Sequence, residues 1–107
     1  MEVIIVCINF PDKNCARQIG TALIEKQLAA CVNIIPEIES IYRWKGKVCA
    51  EKEVMAMVKT TLSRYKQLEK YVLESHPYDV PEVVSFPLNK GSETYLNWVH
   101  DEMEGHH

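Results

Sequence analysis

Two long strand-like runs with a short turn between them limit the folds open to this chain more than any other feature. They cover residues 30–43 and 48–60, and the turn reads Trp44-Lys45-Gly46-Lys47. Gly46 can adopt the positive φ that a tight hairpin turn requires. At ~3.3 Å per residue each arm reaches roughly 40 Å, whereas a globule of this length has a radius of gyration of only ~13 Å. We therefore predict a β-hairpin that projects beyond the body of the protein.

Hydrophobic periodicity divides the whole chain into seven elements. Residues 2–9 are β-branched and apolar on both faces of a strand, so both faces must be covered. Asp12 is placed to cap a helix, and Pro36 cannot donate to a ladder, so a bulge or an edge is expected there. The predicted elements are, in chain order, a strand at 2–9, a helix at 13–27, strands at 30–43 and 48–60, a helix capped by Thr61 or Ser63, a strand at 82–87 and a helix capped by Ser92.

This order of elements predicts an α+β fold, a ferredoxin-like βαββαβ sandwich with a long hairpin between the second and third strands and an added C-terminal helix. Right-handed crossovers place both main helices on one face of the sheet. The other face then carries the second apolar side of the first strand together with Met55 and Met57. A large exposed apolar face is typical of an association surface. We therefore expect a homo-oligomer in which these faces pack together.

The length and composition favour one small domain and exclude several functional classes. We assign residues 1–104 to the domain and regard 105–107 as the remnant of a purification tag. The net charge of -3 and the lack of any long Lys/Arg block argue against nucleic-acid binding. No apolar run approaches the ~20 residues that span a bilayer, and the N-terminus has no basic segment of the kind that begins a signal peptide. Four cysteines without a CxxC pair indicate a reduced, cytoplasmic protein.

Cys7 and His76 are the residues best placed for metal chemistry. In a ferredoxin-like sheet the spatial strand order is 4-1-3-2, so the start of the last strand lies near the end of the first. His76 precedes the last strand and Cys7 is near the end of the first. A thiolate and an imidazole suit copper or zinc. The alternative is that Cys7 is a core thiol and His76 a hydrogen-bonded residue of a stiff connector.

Other polar features allow weaker interpretations. Glu51 and Glu53 share one strand face and could bind a cation or act in acid–base chemistry, although a solvated strand surface explains them as well. The aromatic and basic residues of the hairpin tip could hold an anion or serve subunit contacts. No phosphate-binding, zinc-protease or hydrolase motif is present, and Cys7 with His76 is the one candidate pair for a hydrolase. An enzyme is therefore the least favoured class.

Four segments resemble the CutA family of divalent-cation tolerance proteins. They are "LAACVNIIP" (28–36), "SIYRWKGKV" (40–48), "EKEVMAMVKT" (51–60) and "SHPYDVPEVVSFP" (75–87), and the resemblance extends over residues 3 to about 102. It implies a ferredoxin-like protomer in a homotrimer, similar in plan to the PII-type signalling proteins. It also implies a role in copper tolerance, a metal site at Cys7 and His76, and no enzymatic reaction. Some family members have a second His where this chain has Ser75.

A second hypothesis uses the same trimer for a different purpose. The protein could be a PII-like signalling or scaffold trimer that binds a small molecule or a protein partner in the clefts between its subunits. The residues expected to line those clefts are Tyr42, Trp44, Lys59, Tyr78 and Glu82.

Overall fold

The computed structural model describes residues 2–105 and contains all seven predicted elements. His106 and His107 of the predicted tag remnant lie outside the described residues. A short 3₁₀ turn, Leu62–Arg64, joins the hairpin to the second helix. The strands and helices are β1 (Val3–Phe10), α1 (Lys13–Glu25), β2 (Cys31–Trp44), β3 (Lys47–Thr61), α2 (Tyr65–Ser75), β4 (Val83–Pro87) and α3 (Glu93–Glu104).

The four strands form one antiparallel sheet in the order β2-β3-β1-β4. This is the ferredoxin-like order predicted from the sequence, with β1 in the centre between β3 and β4. Alternate side chains of β1 enter the core against α1 and α2, while the others lie on the opposite face. The side chains on the helix side of β1 are at most 2 % exposed; they are Ile4, Val6, Ile8 and Phe10.

Two of the predicted helix caps are present and one prediction was wrong. Asp12 Oδ1 accepts a 2.8 Å hydrogen bond from the N–H of Cys15, and Ser92 Oγ accepts one of 3.3 Å from the N–H of Tyr95. Neither Thr61 nor Ser63 caps α2, because the 3₁₀ turn leads directly into that helix and Arg64 occupies its N-cap without a side-chain bond. The Thr61 and Ser63 hydroxyls instead lie 3.1 Å apart, within hydrogen-bond distance of each other.

Pro36 marks the predicted β-bulge in β2. Ile35 pairs with Met55, whereas Ile38 pairs with Glu53, so the register shifts by one residue between them. Because side chains alternate along a strand, the extra residue exchanges the two faces of β2 beyond the bulge. Even-numbered residues such as Tyr42 consequently lie on the same face as Met55, away from α1 and α2.

The hairpin extends beyond the globular body, as its length predicted. The molecule measures 47 × 26 × 22 Å. Ile41 and Val48 near the tip are 69 % and 71 % exposed. Lys45 and Gly46 form the turn with φ values of 50° and 80°, and for Gly46 this region carries no steric penalty.

The second face of the sheet lacks a helix over most of its area. Val84 and Phe86 on β4 lie on this face and are 51 % and 45 % exposed. Helix α3 packs at one end of the sheet, where Val99 and Met103 form a small cluster with Val3. Within residues 2–105, none of the helices has the length and apolar character that crossing a membrane requires.

Candidate functional site

His76 is built into the connector between α2 and β4 by hydrogen bonds at both ring nitrogens. Its Nδ1 accepts a 3.1 Å hydrogen bond from the N–H of Tyr78. Its Nε2 lies 2.7 Å from the carbonyl oxygen of Asn9, and because a carbonyl cannot donate, Nε2 must carry the proton. The ring also stacks on Phe10 at 5.1 Å and is only 8 % exposed. This geometry matches the interpretation of His76 as a hydrogen-bonded residue of a stiff connector. One ring nitrogen donates and the other accepts, as in a neutral imidazole.

Cys7 lies on the face of the sheet that faces away from α1 and α2. It is half-buried and pairs across the strands with Met57 and Val84. Burial, and to a smaller extent the carboxylate of Glu82, raises the pKa of the Cys7 thiol above its ordinary value. The thiol is therefore protonated near neutral pH, and binding of a metal ion would have to displace its proton.

Cys7 and His76 have different neighbours in the structure. Both lie toward the C-terminal end of β1, as the topology predicted. However, His76 stacks on Phe10, whose side chain is in the helix-side core, whereas Cys7 alternates onto the other face. Among residues 2–105 there is no group of three or more His, Cys, Asp or Glu side chains that could hold a metal ion. In the single chain these two residues therefore do not form a preassembled metal centre.

A groove on the uncovered face collects most of the cleft residues predicted from the sequence. It has a volume of about 950 Å³ and lies between the hairpin and the connector that precedes β4. Tyr42, Trp44, Tyr78 and Glu82 line it. Lys59 does not, because β3 carries it toward the opposite end of the sheet, where its Nζ donates to Asn33 Oδ1.

Two tyrosine–glutamate pairs line the groove: one joins the two arms of the hairpin, and the other joins the connector to the hairpin. The Tyr42 hydroxyl donates to Glu51 Oε1 at 2.8 Å, and the Tyr78 hydroxyl donates to Glu53 Oε2 at 2.9 Å. The bond to Glu51 is the main cause that raises the pKa of Tyr42 to about 12. Burial, followed by the bond to Glu53, raises the pKa of Tyr78. The predicted Glu51/Glu53 pair is thus part of a hydrogen-bonded structure in which both phenols stay protonated.

Asn9 is a groove residue that the sequence analysis did not identify. Its side chain is 7 % exposed and lines the groove. Its Oδ1 is buried and has no hydrogen-bond partner among the described residues. A buried unpaired acceptor costs about 1–3 kcal/mol. The signal was available in the sequence, because Asn9 is the one strongly polar side chain in the run from Val3 to Phe10.

Comparisons with known proteins agree on one family. The family model described as CutA1 divalent ion tolerance protein matches residues 4–102. The divalent-cation tolerance protein CutA of Thermus thermophilus is 44% identical over 97 residues, which cover 91% of this chain and 94% of that relative. Protein CutA of the mouse is 45% identical over 91% of this chain, but the match spans only 55% of the mouse protein.

Solved structures give the same result. The structure of the Thermus thermophilus protein has a TM-score of 0.88 at 44% identity and covers 91% of this chain and 94% of that one. A structure described as the periplasmic divalent cation tolerance protein CutA from Archaeoglobus fulgidus has a TM-score of 0.91 at 32% identity, with 94% and 98% of the two chains covered.

We expect Tyr78→Phe to lower the free energy of unfolding by about 1 kcal/mol at pH 7, because it removes the hydrogen bond to Glu53 and keeps the ring. The raised pKa means that the folded state holds the phenolic proton more tightly than the unfolded chain does. The contribution is therefore complete below pH 10, the ordinary phenol pKa, and is lost as the pH rises above it. Denaturant unfolding of both proteins at pH 7 and pH 11 tests this. A difference in stability that is unchanged at pH 11 would contradict it.

Proposed function

The chain belongs to the CutA1 divalent ion tolerance family, and from that premise we propose that it acts in metal tolerance as a homotrimer that binds copper or a related divalent cation. The family description refers to tolerance of ions rather than to a reaction, so the proposal includes no catalysis. The chain spans little more than half the length of the mouse relative. Any activity that this chain shares with that longer protein is therefore part of the proposal.

The observation that supports self-association is the uncovered face of the sheet. Val84 and Phe86 are about half exposed there, next to the half-buried Cys7, Met55 and Met57. Apolar side chains on a contiguous uncovered face are stabilised when a second copy excludes water from them. We propose both that the chain associates with itself and that it does so as a trimer, the state that the CutA resemblance implies.

We propose Cys7 and His76 as metal ligands within this assembly. Two points support this assignment. The thiol and imidazole donors of Cys7 and His76 suit copper and zinc, and both residues lie toward the same end of β1. The geometry of the single chain adds a condition: His76 can coordinate through Nε2 only after that nitrogen loses its proton and its bond to the Asn9 carbonyl. Further donors would have to come from elsewhere in the trimer or from water.

The cytoplasm is the proposed location of the protein. The four cysteines support it, because all are free thiols in the described structure, as expected in a reducing compartment. The relative from Archaeoglobus fulgidus is described as periplasmic, so members of the family are not confined to one compartment.

A signalling or scaffold trimer is the second candidate function. The observation that favours it is the groove of about 950 Å³, in which Tyr42, Trp44, Tyr78 and Glu82 come together. Its size is in the range of pockets that hold small ligands.

The oligomer prediction concerns Phe86. We expect wild-type protein to sediment with three times the 12.3 kDa chain mass, and Phe86→Glu to shift the equilibrium toward monomer, because burying a charge on the apolar face is unfavourable. Leu73→Glu on α2 is the matched control, since Leu73 is 50 % exposed on the helix side. A stable wild-type monomer, or a Phe86→Glu variant that associates as well as the control, would contradict the proposal.

The metal prediction concerns copper affinity. We expect Cys7→Ser and His76→Gln each to weaken copper binding at least tenfold in titrations against a competing chelator. Glutamine keeps an N–H donor for the Asn9 carbonyl, so this variant separates coordination from the structural role of His76. Cys49→Ser is the control, because it removes a half-buried thiol from a different strand, β3. Equal affinity of wild type, Cys7→Ser and His76→Gln would overturn the site assignment.

Thermal unfolding separates the two functions. A ligand that binds only the folded state raises the melting temperature. We expect a rise with copper and none with nucleotides or other organic anions if metal tolerance is the primary role. A rise with an organic ligand and none with copper would favour the signalling or scaffold trimer.

A further inference from the structure

The groove on the uncovered face carries negative charge that its own chain does not balance. None of the described residues that line it is Lys, Arg or His, whereas five are carboxylates: Glu39, Glu51, Glu53, Asp79 and Glu82. Self-association that covers this face removes water from these carboxylates. Taking a charge out of water is unfavourable unless an opposite charge or a hydrogen-bond donor replaces the water. The assembly therefore needs a cation at this groove.

The floor of the groove also lacks a hydrogen-bond donor. Asn9 is 7 % exposed, and its buried Oδ1 has no hydrogen-bond partner among the described residues. An amide oxygen only accepts, so it requires an N–H or O–H group. Glu51 and Glu53 each accept one phenolic hydrogen bond and keep further lone pairs open. This excess of acceptors matches an ammonium group, which has three donors and no acceptor.

Lys59 has the complementary deficit. In the four strands, Lys47 and Lys59 are the two basic side chains that alternate onto the uncovered face. Lys47 is exposed at the hairpin tip, whereas Lys59 is half-buried in the single chain. The Nζ of Lys59 donates to Asn33 Oδ1, a neutral amide, and forms no ion pair with a carboxylate of residues 2–105. Covering the face thus leaves this ammonium charge without a carboxylate from its own chain.

Lys59 cannot reach the groove of its own chain. Lys59 and Glu53 lie on the same face of β3, but the six residues between these positions span about 20 Å at ~3.3 Å per residue. Copies that form a closed ring contact each other head to tail, so each interface joins two different patches of the surface. Such an interface can bring the Lys59 end of one copy to the groove end of the next, and the ring repeats this contact at every interface.

We propose that Lys59 of each copy enters the groove of its neighbour in the trimer, where its ammonium group donates to Glu53, to Glu51 and to Asn9 Oδ1. The proposal rests on the self-association proposed above and names the residue that the neighbouring copy contributes. The groove is then complete only in the assembly, and each interface carries one such lysine.

The test is sedimentation equilibrium of the wild-type protein and of charge variants over matched concentrations. We expect Lys59→Met and Glu53→Gln each to weaken trimer formation at least tenfold, because each change leaves the other charge unpaired at a covered interface. The double variant should associate more tightly than either single variant, since neither charge is then left without its partner. Lys66→Met and Glu74→Gln make the same changes at exposed positions of α2 and should associate like wild type.

The outcomes separate this proposal from the self-association on which it rests. A wild-type trimer in which Lys59→Met and Glu53→Gln associate as tightly as the controls would overturn the pairing and leave the trimer standing. Single variants whose effects simply multiply in the double variant would show that the two residues do not meet, and would also overturn the pairing. A stable wild-type monomer would overturn both proposals.

Carbodiimide coupling tests the contact directly in the wild-type protein. The reagent joins an amine to a carboxylate that touches it through an amide bond, with loss of water. In trimers assembled from unlabelled and isotopically labelled chains, we expect mass spectrometry to find Lys59 joined to Glu51 or Glu53 of a differently labelled chain. Coupling of Lys59 only to carboxylates outside the groove, or no coupling of Lys59 at all, would contradict the placement.

Discussion

The alternation of side chains along β1 is the constraint on which both the apolar core and the candidate site depend. This strand lies between β3 and β4, and its even-numbered residues fill the core under α1 and α2. The odd-numbered residues must then face the other way, because successive side chains of a strand leave opposite faces. Cys7 and Asn9 are placed on the uncovered face by this geometry alone. The apolar core and the candidate site are therefore two sides of the same strand.

The bulge at Pro36 determines which residues of the hairpin lie on the helix side of the sheet and which lie on its uncovered face. Without the extra residue between Ile35 and Ile38, Tyr42 and Trp44 would lie on the helix side of β2 and could not meet Glu51 and Glu53. The bulge places Tyr42 on the same face as Glu51, where its hydroxyl donates to that carboxylate. The bulge that contains Pro36 thus determines which β2 side chains line the groove.

His76 illustrates a conflict between structural and metal-binding roles. Both of its ring nitrogens are engaged, one by the Tyr78 N–H and one by the Asn9 carbonyl, and its ring stacks on Phe10. These contacts hold the connector against the end of β1 and position Tyr78 at the groove. Coordination through Nε2 would have to replace one of them. Asn9 meets the same connector through its backbone oxygen, which accepts from His76, while its side-chain oxygen has no hydrogen-bond partner among the described residues.

Much of the architecture was predictable because it follows from local patterns. Apolar periodicity gave the seven elements, the length of residues 30–60 gave the projecting hairpin, and Pro36 gave the bulge. The four segments from 28 to 87 gave the family, since they occur at the expected spacings. Helix starts were less certain: the prediction that Thr61 or Ser63 caps α2 failed because the 3₁₀ turn at Leu62–Arg64 cannot be distinguished from a first helical turn by residue type.

The sequence by itself determined the fold, the family and the acidic and aromatic residues available to a site. The tertiary structure alone decided which of those residues meet. Cys7 and His76 have different neighbours, Lys59 is carried away from the groove by β3, and Asn9 is buried without a partner for its amide oxygen among the described residues. These outcomes depend on strand register and on hydrogen bonds to backbone atoms of distant residues. Neither can be read from residue types, because every residue offers the same backbone groups and register is set by the whole sheet.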